Sequence, residues 1–169
     1  GTGTDQATAS DFLGNTMPSG SVIFNSGETS KTITVNVIAD AAMESNESFL
    51  VTISNEAGTS SITTATATGQ ILNDDQISFS IDDVTVNEDT NATFTVTMTG
   101  AANLTPTMSY SITDVSTASG SDYTAASGTL AFAPGESSKT ITISIIDDTN
   151  DEANETFTLV LANLSAGTF

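Results

Sequence analysis

Residues 20–55 and 128–163 align without a gap at an offset of 108 positions, and that self-similarity constrains the fold before anything else does. Gly27-Glu28, Ser30-Lys31-Thr32-Ile33-Thr34, Asp40, Glu44, Asn46-Glu47, Phe49 and Asn55 all recur as the same residue type. Further upstream, Ser10-Asp11-Phe12 answers Ser121-Asp122-Tyr123 once a three-residue difference in the following loop is allowed. Residues 76–115 have no counterpart at the front, and residues 56–75 none at the back. The chain therefore reads as the rear of one repeat followed by most of the next, divided as 1–75 and 76–169.

Within each repeat the period is two. In Thr140-Ile141-Thr142-Ile143-Ser144-Ile145 the isoleucines share one face and the hydroxyls the other, and Phe94, Val96, Met98 and Phe157, Leu159, Leu161 continue the pattern. Helical spacing is nowhere sustained, and threonine, valine and isoleucine fill the runs, as a pleated half-buried surface favours. Turns of the Asn25-Ser26-Gly27 and Ala133-Pro134-Gly135 kind separate them. The expectation is all-β: tandem seven-stranded antiparallel immunoglobulin-like β-sandwiches, the first lacking its leading strands and the second its last. Lettered by position, the second repeat places A near 77–86, B at 92–98, C at 107–113, D at 129–132, E at 139–146 and F at 156–161. The first supplies D at 21–24, E at 31–38, F at 48–54 and G at 62–72.

Charge narrows the function classes. Twenty-one acidic side chains face only Lys31 and Lys139, giving a formal charge of −19. Such a surface repels nucleic acid and anionic lipid, which require clustered cations. Strong acidity can accompany disorder, but 37% of the residues are hydrophobic and recur in alternation, which an unfolded chain has no reason to keep. With no cysteine and no histidine, the usual ligands of zinc, copper and haem are missing, and oxygen is the donor on offer. No apolar run approaches the ~18 residues of a membrane span, so no membrane insertion is expected of this segment.

The acids are not scattered. Residues 147–155 hold Asp147, Asp148, Asp151, Glu152 and Glu155 with no basic residue among them. If successive strands alternate in direction, the A–B, C–D and E–F connections and the end of G emerge at one pole. Glu88 then lies in A–B, Asp122 in C–D, the acidic run in E–F, and Asp74-Asp75 closes G. A solvated acidic face is the ordinary explanation of one such loop. Here the Asp…Glu-x-x-Glu spacing recurs 108 residues on, the acids converge by topology, and no basic partner stands among them to pair with. Carboxylates held close repel, and Ca²⁺, which accepts six to eight oxygens with tolerant geometry, removes the conflict better than the stricter Mg²⁺. Asp82-Asp83, near a bulge within strand A, read as solvated.

Val-Asn-Glu-Asp (86–89), Gly-Ser-Asp-Tyr (120–123), the run 127–136, the run 139–148, Glu152, Asn154-Glu155-Thr156-Phe157 and Ile-Leu-Asn-Asp-Asp (71–75) together closely resemble the Calx-β domain. That family is a calcium-binding β-sandwich of sodium–calcium exchangers, integrin β4 and tandem arrays in large surface proteins. The resemblance spans practically the whole chain. It implies calcium ligands at Glu88, Asp122, Asp147, Asp148, Glu152 and Glu155 in the second repeat, and at Asp11, Asp40, Glu44, Glu47, Asp74 and Asp75 in the first. Ala39 stands where the second copy has Asp147, so the first set is one acid short.

The function expected is structural: a calcium-binding segment of a secreted or cell-surface adhesin or fibre, the ion stiffening the junction at residues 73–76. Its partners are calcium ions, adjacent repeats of the chain or neighbouring subunits, and a cell-surface or matrix ligand. A calcium-sensing regulatory module is the first alternative, and a filament subunit completed by strand donation between neighbours is the second. Catalysis is not expected: paired carboxylates can hydrolyse glycosides, but a sugar cleft wants stacking aromatics, and the chain has no tryptophan and only Tyr110 and Tyr123. Asn-x-Ser/Thr sequons at Asn46, Asn91, Asn103, Asn154 and Asn163 are weak signals in so Thr/Ser-rich a chain.

Overall fold

The structure, a computed structural model, describes residues 5–55, 60–116, 120–149 and 153–168. Its strands in chain order are β1 (Asp5–Gln6), β2 (Ala42–Met43), β3 (Glu47–Thr52), β4 (Thr66–Ile71), β5 (Ser78–Ile81), β6 (Ala92–Thr99), β7 (Ala101–Ala102), β8 (Thr107–Asp114), β9 (Ser127–Ala131), β10 (Ser138–Ile143) and β11 (Phe157–Ala162). They form two compact units: Gly1–Ala41 with Ser45–Asp74, and Ala42–Glu44 with Asp75–Phe169. The fold is all-β, and no α-helix occurs among the described residues.

The second unit is a sandwich of two antiparallel sheets, ordered β10-β6-β5 and β11-β8-β9. These are strands E-B-A and F-C-D of the lettered scheme. β6 shows why the pattern folds this way: Ala92, Phe94, Val96 and Met98 are buried while the threonines between them point outward. Across the ladder Ile141 lies opposite Phe94 and Ile143 opposite Ala92, so one register buries every apolar residue of both strands. Phe79 of β5 meets Phe132, just beyond β9, edge to face at 5.1 Å, joining the sheets. Each such large side chain withdrawn from water is worth ~1.5–3 kcal/mol. Residues Ala42–Glu44 join this unit through β2, which runs parallel to β7.

The first unit carries a smaller sheet, β1-β3-β4, with β1 parallel and β4 antiparallel to β3. Buried Phe12 packs edge to face on Phe49 at 5.3 Å. Phe49 in turn lies over Gly69, its partner across the ladder, where even a Cβ would come within 2.3 Å of the ring.

The strands expected at 21–24 and 31–38 are not formed. Apart from an isolated bridge between Phe12 and Val37, those residues take no part in any ladder. A strand is a property of a pair. In the second unit, E is held by β6 and D by β8, and the described part of the first unit presents no strand equivalent to β6. The side chains record the difference: Phe24 is 56% exposed and Ile33 49%, while Phe132 and Ile141, their equivalents 108 residues on, are at 0% and 3%.

Candidate functional site

Two backbone hydrogen bonds fix the acidic end of each unit, and they are the same two. In the second unit Thr124 N donates to Ser144 O at 2.9 Å and Ile146 N to Asp122 O at 2.9 Å, flanking a bridge between Tyr123 and Ile145. In the first, Leu13 N donates to Asn36 O at 3.1 Å and Ile38 N to Asp11 O at 2.9 Å, flanking the Phe12–Val37 bridge. The C–D connection is thus clamped to the start of the E–F connection, bringing Asp122 alongside Asp147-Asp148 and Asp11 alongside Asp40 in chain position. Aromatic packing anchors the clamp. Tyr123 stacks on Phe157 at 5.0 Å, just as Phe12 packs on Phe49.

The far end of the E–F connection in the second unit is tied in as well. Ser116 N donates to Thr156 O at 3.0 Å and Thr156 N to Ser116 Oγ at 2.8 Å, so Glu155 sits beside the end of β8. Asp122 is half-buried, while Glu88, Asp147, Asp148 and Glu155 are exposed. Glu88 occupies the turn between β5 and β6, closed by Thr90 N to Asn87 O at 3.0 Å. Glu152, together with Asp151, lies outside the described residues.

In the first unit several predicted side chains are already engaged. The Asp11 carboxylate accepts from Thr8 N at 2.5 Å and from Thr8 Oγ1 at 2.9 Å, capping the 3₁₀ turn Ala9–Asp11. Glu47 opens β3 and pairs with Asp5 on one side and Ile71 on the other, and Asn46 Oδ1 accepts from Asn73 N at 3.0 Å, so Asp74 leaves β4 beside the start of β3. Glu44 and Asp75 belong to the second unit, where the Asn103 side-chain amide donates to the Glu44 carboxylate. Asp40 lies exposed, two residues past the clamp.

Sequence reasoning passed over two acids at this end. Asp5, on β1 opposite Glu47, lies in a two-residue strand too short to carry a pattern. Asp114, at the end of β8, accepts from the buried Tyr123 hydroxyl. Asp82 proves structural: its Oδ1 accepts from Thr95 N at 2.6 Å, extending the β5–β6 pairing by a side chain.

The opposite end accounts for the two lysines. Gly27 and Gly135, at φ +87° and +83°, complete matching turns in which Glu28 N donates to Asn25 O and Glu136 N to Ala133 O, both at 3.0 Å. The Glu28 and Glu136 carboxylates accept from Asn25 N and Ala133 N, both at 2.7 Å, and from Lys31 at 2.8 Å and Lys139 at 2.9 Å. Lysine and backbone donor hold both carboxyls below the ordinary carboxylate range. Beyond these two lysines the sequence has no lysine, arginine or histidine.

The donor chemistry suits a hard cation: carboxylate oxygens in both units, delivered by clamped loops, with no imidazole or thiolate in the chain. Among the described residues, however, no three acidic side chains are drawn close enough to hold one between them. Two carboxylates ~5 Å apart oppose each other by ~3 kcal/mol at an effective dielectric of ~20, a cost that a shared cation would offset.

Comparison with known proteins bears on the family and the fold. The sequence model of the Calx-beta domain matches residues 2–76 and again 72–169. The adhesion G-protein coupled receptor V1 of Danio rerio is 31% identical over 163 residues, 90% of this chain and 2% of the receptor. Extracellular matrix protein 3 of Lytechinus variegatus is 35% identical over 158 residues, 85% of this chain and 5% of that protein. The sodium/calcium exchanger 2 of Homo sapiens is 44% identical over 68 residues, 40% of this chain and 7% of the exchanger. The chain thus spans a small fraction of these relatives. The crystal structure of the apo form of the Calx CBD1 domain superposes with a TM-score of 0.53 at 26% identity, covering 56% of this chain and 87% of that one.

Proposed function

The chain belongs to the Calx-β family, and from that premise we propose that it is a calcium-binding structural segment of an extracellular or cell-surface adhesin or fibre. The observation that carries the reading is the clamp repeated in both units, which delivers Asp122 beside Asp147-Asp148 and Asp11 beside Asp40 by identical backbone bonds. Calcium, when bound, neutralises the carboxylates and supplies the coordination that lets them approach. In the second unit the proposed ligands are Glu88, Asp122, Asp147, Asp148, Glu152 and Glu155. Asp122 is held through its own carbonyl, Asp147 and Asp148 follow directly on Ile146 of the clamp, and Glu155 precedes Thr156, which is tied to Ser116.

For the first repeat the proposed ligands are Asp11, Asp40, Glu47 and Asp74, which lie in the first unit; Glu44 and Asp75, which the resemblance also implies, lie in the second. This set is weaker for three reasons: Ala39 replaces an acid, Asp11 shares its carboxylate with Thr8, and Glu44 must leave Asn103. Because Asp74-Asp75 lie where the two family matches overlap, neutralising them would stiffen that stretch of chain. Rigidity that depends on calcium follows by linkage, the ion favouring whichever arrangement binds it best.

A calcium-sensing regulatory role is favoured by the exchanger match, but that likeness covers 40% of the chain, against 90% and 85% for the receptor and the matrix protein. The longer matches support the structural reading. Calorimetric titration of the full chain with Ca²⁺, alongside X-ray scattering, tests it. Binding heat with an increase in maximum dimension is expected, Mg²⁺ acting more weakly, and Asp147→Asn with Asp148→Asn removing the tighter phase. No heat and no change in scattering would sink the proposal.

A further inference from the structure

In the second unit, the end of β8 holds two of the ligand-bearing loops at once. Buried Tyr123 stands between Asp122, whose carbonyl accepts from Ile146 N, and Thr124, whose N donates to Ser144 O. Its ring stacks on Phe157 at 5.0 Å with 27° between the planes, and its hydroxyl donates to Asp114 Oδ1. Asp114 is itself the ladder partner of Phe157. Two residues further on, Ser116 N donates to Thr156 O at 3.0 Å and Ser116 Oγ accepts from Thr156 N at 2.8 Å. Residues 114–116 thus grip the C–D connection by a side chain and the far end of the E–F connection by backbone and hydroxyl. Asp122 and Glu155 each stand one residue from a gripped position, Tyr123 and Thr156.

We infer that Asp114 is a positioning residue for the calcium site of the second repeat: by accepting from the Tyr123 hydroxyl it fixes where Asp122 stands relative to Glu155, and with that the strength of ion binding. The inference rests on the calcium reading given above. Asp114 is exposed and borders an open cavity shared with Ser111, Ala126 and Ser127, so the hydrogen bond, more than packing, orients its carboxylate. The acceptor is a strong one. A hydrogen bond to an ionised group is about twice as strong as a neutral pair, and a buried hydroxyl deprived of its acceptor costs ~1–3 kcal/mol. Groups that orient metal ligands without touching the metal commonly account for about 10–100-fold in affinity. The first repeat has Phe12 in the place of Tyr123, with no hydroxyl to donate, so the tie is particular to the second repeat.

Calorimetric Ca²⁺ titration of the full chain tests the inference against three substitutions. Tyr123→Phe keeps the ring that stacks on Phe157 and removes the hydroxyl, Asp114→Ala removes the acceptor, and Asp114→Asn keeps an acceptor oxygen without the charge. Tyr123→Phe and Asp114→Ala should each raise the dissociation constant of the tighter phase by about tenfold or more. Combining them should add little, because both remove one bond. Asp114→Asn should stay within about threefold of the native chain, since an exposed charge that is not a ligand is screened by salt. A loss in Asp114→Asn as large as in Asp114→Ala would overturn the inference, giving Asp114 a role through its charge or as a direct ligand. Native affinity in Tyr123→Phe with a lowered urea midpoint would also overturn it, leaving the pair as a support of the fold alone. In both cases the calcium reading survives if Asp147→Asn with Asp148→Asn still removes the tighter phase. No heat from the native chain would overturn both.

Discussion

Ile33 and Ile141 are one residue type at one place in a repeat, and truncating each to alanine should have very different consequences. Ile141 is buried between Phe94 and the opposite sheet. Removing three carbons there forfeits ~0.8 kcal/mol apiece, and the cavity left in a sandwich that relaxes only partly brings the loss to ~3–4 kcal/mol. Ile33 already has about half its surface in water, and no closed cavity forms on its truncation, so the cost falls to ~1 kcal/mol or less. The chain supplies its own probe: it has no tryptophan, and both tyrosines, Tyr110 and Tyr123, lie in the second unit. In urea, with calcium chelated, tyrosine emission should show the Ile141→Ala midpoint lowered by about 1.5–2.5 M for an m-value near ~1.5–2 kcal/mol/M. Ile33→Ala should leave that transition in place and shift the far-ultraviolet circular dichroism transition only slightly. Equal losses at the two positions would refute the reasoning, because Ile33 would then be as buried as its counterpart.

Three further outcomes follow from the geometry. Gly69→Ala drives a methyl into the Phe49 ring, and the first unit should lose ~1–3 kcal/mol, read from the same dichroism transition with tyrosine emission unchanged. Tyr123→Phe removes the hydroxyl that the Asp114 carboxylate accepts, and should cost the second unit ~1.5–3 kcal/mol in chemical denaturation, as for a hydrogen bond to a charged group. The Glu28 and Glu136 carboxyls have folded pKa values lowered chiefly by Lys31 and Lys139, so their small contribution to stability is complete above the ordinary carboxylate range and is lost as pH falls through the lowered values. Carbon-detected titration should place both below the ordinary glutamate value, and Lys139→Met should return Glu136 toward it.

Alternation alone located the second unit's strands: β6 and β8 lie within a residue of the expected 92–98 and 107–113, and β11 within a residue of 156–161. There the apolar residues on one strand found apolar residues on its neighbour, and pattern and partner agreed. At 31–38 the same pattern yielded no strand, because a ladder needs a second chain segment and the sequence of one segment does not encode its presence. The site divides along similar lines. The loops that carry Asp122, Asp147 and Asp148 were legible from strand parity, which the clamp of Ile146 on Asp122 expresses in backbone bonds. The use of Asp11 as a cap for Thr8 and of Glu44 as an acceptor for Asn103 was not, since each depends on a local turn or a contact across 59 residues that periodicity does not report.

Tyr123 stands one residue from Asp122, at the centre of the clamp, and can transfer excitation to a lanthanide bound among the neighbouring carboxylates. Terbium, which takes the same oxygen ligands as calcium, should give tyrosine-sensitised emission on binding the full chain, Ca²⁺ should quench it by displacement, and Asp122→Asn with Asp148→Asn should abolish it. Sensitised emission that persists in that variant, or none in the native chain, would contradict a calcium site between these loops.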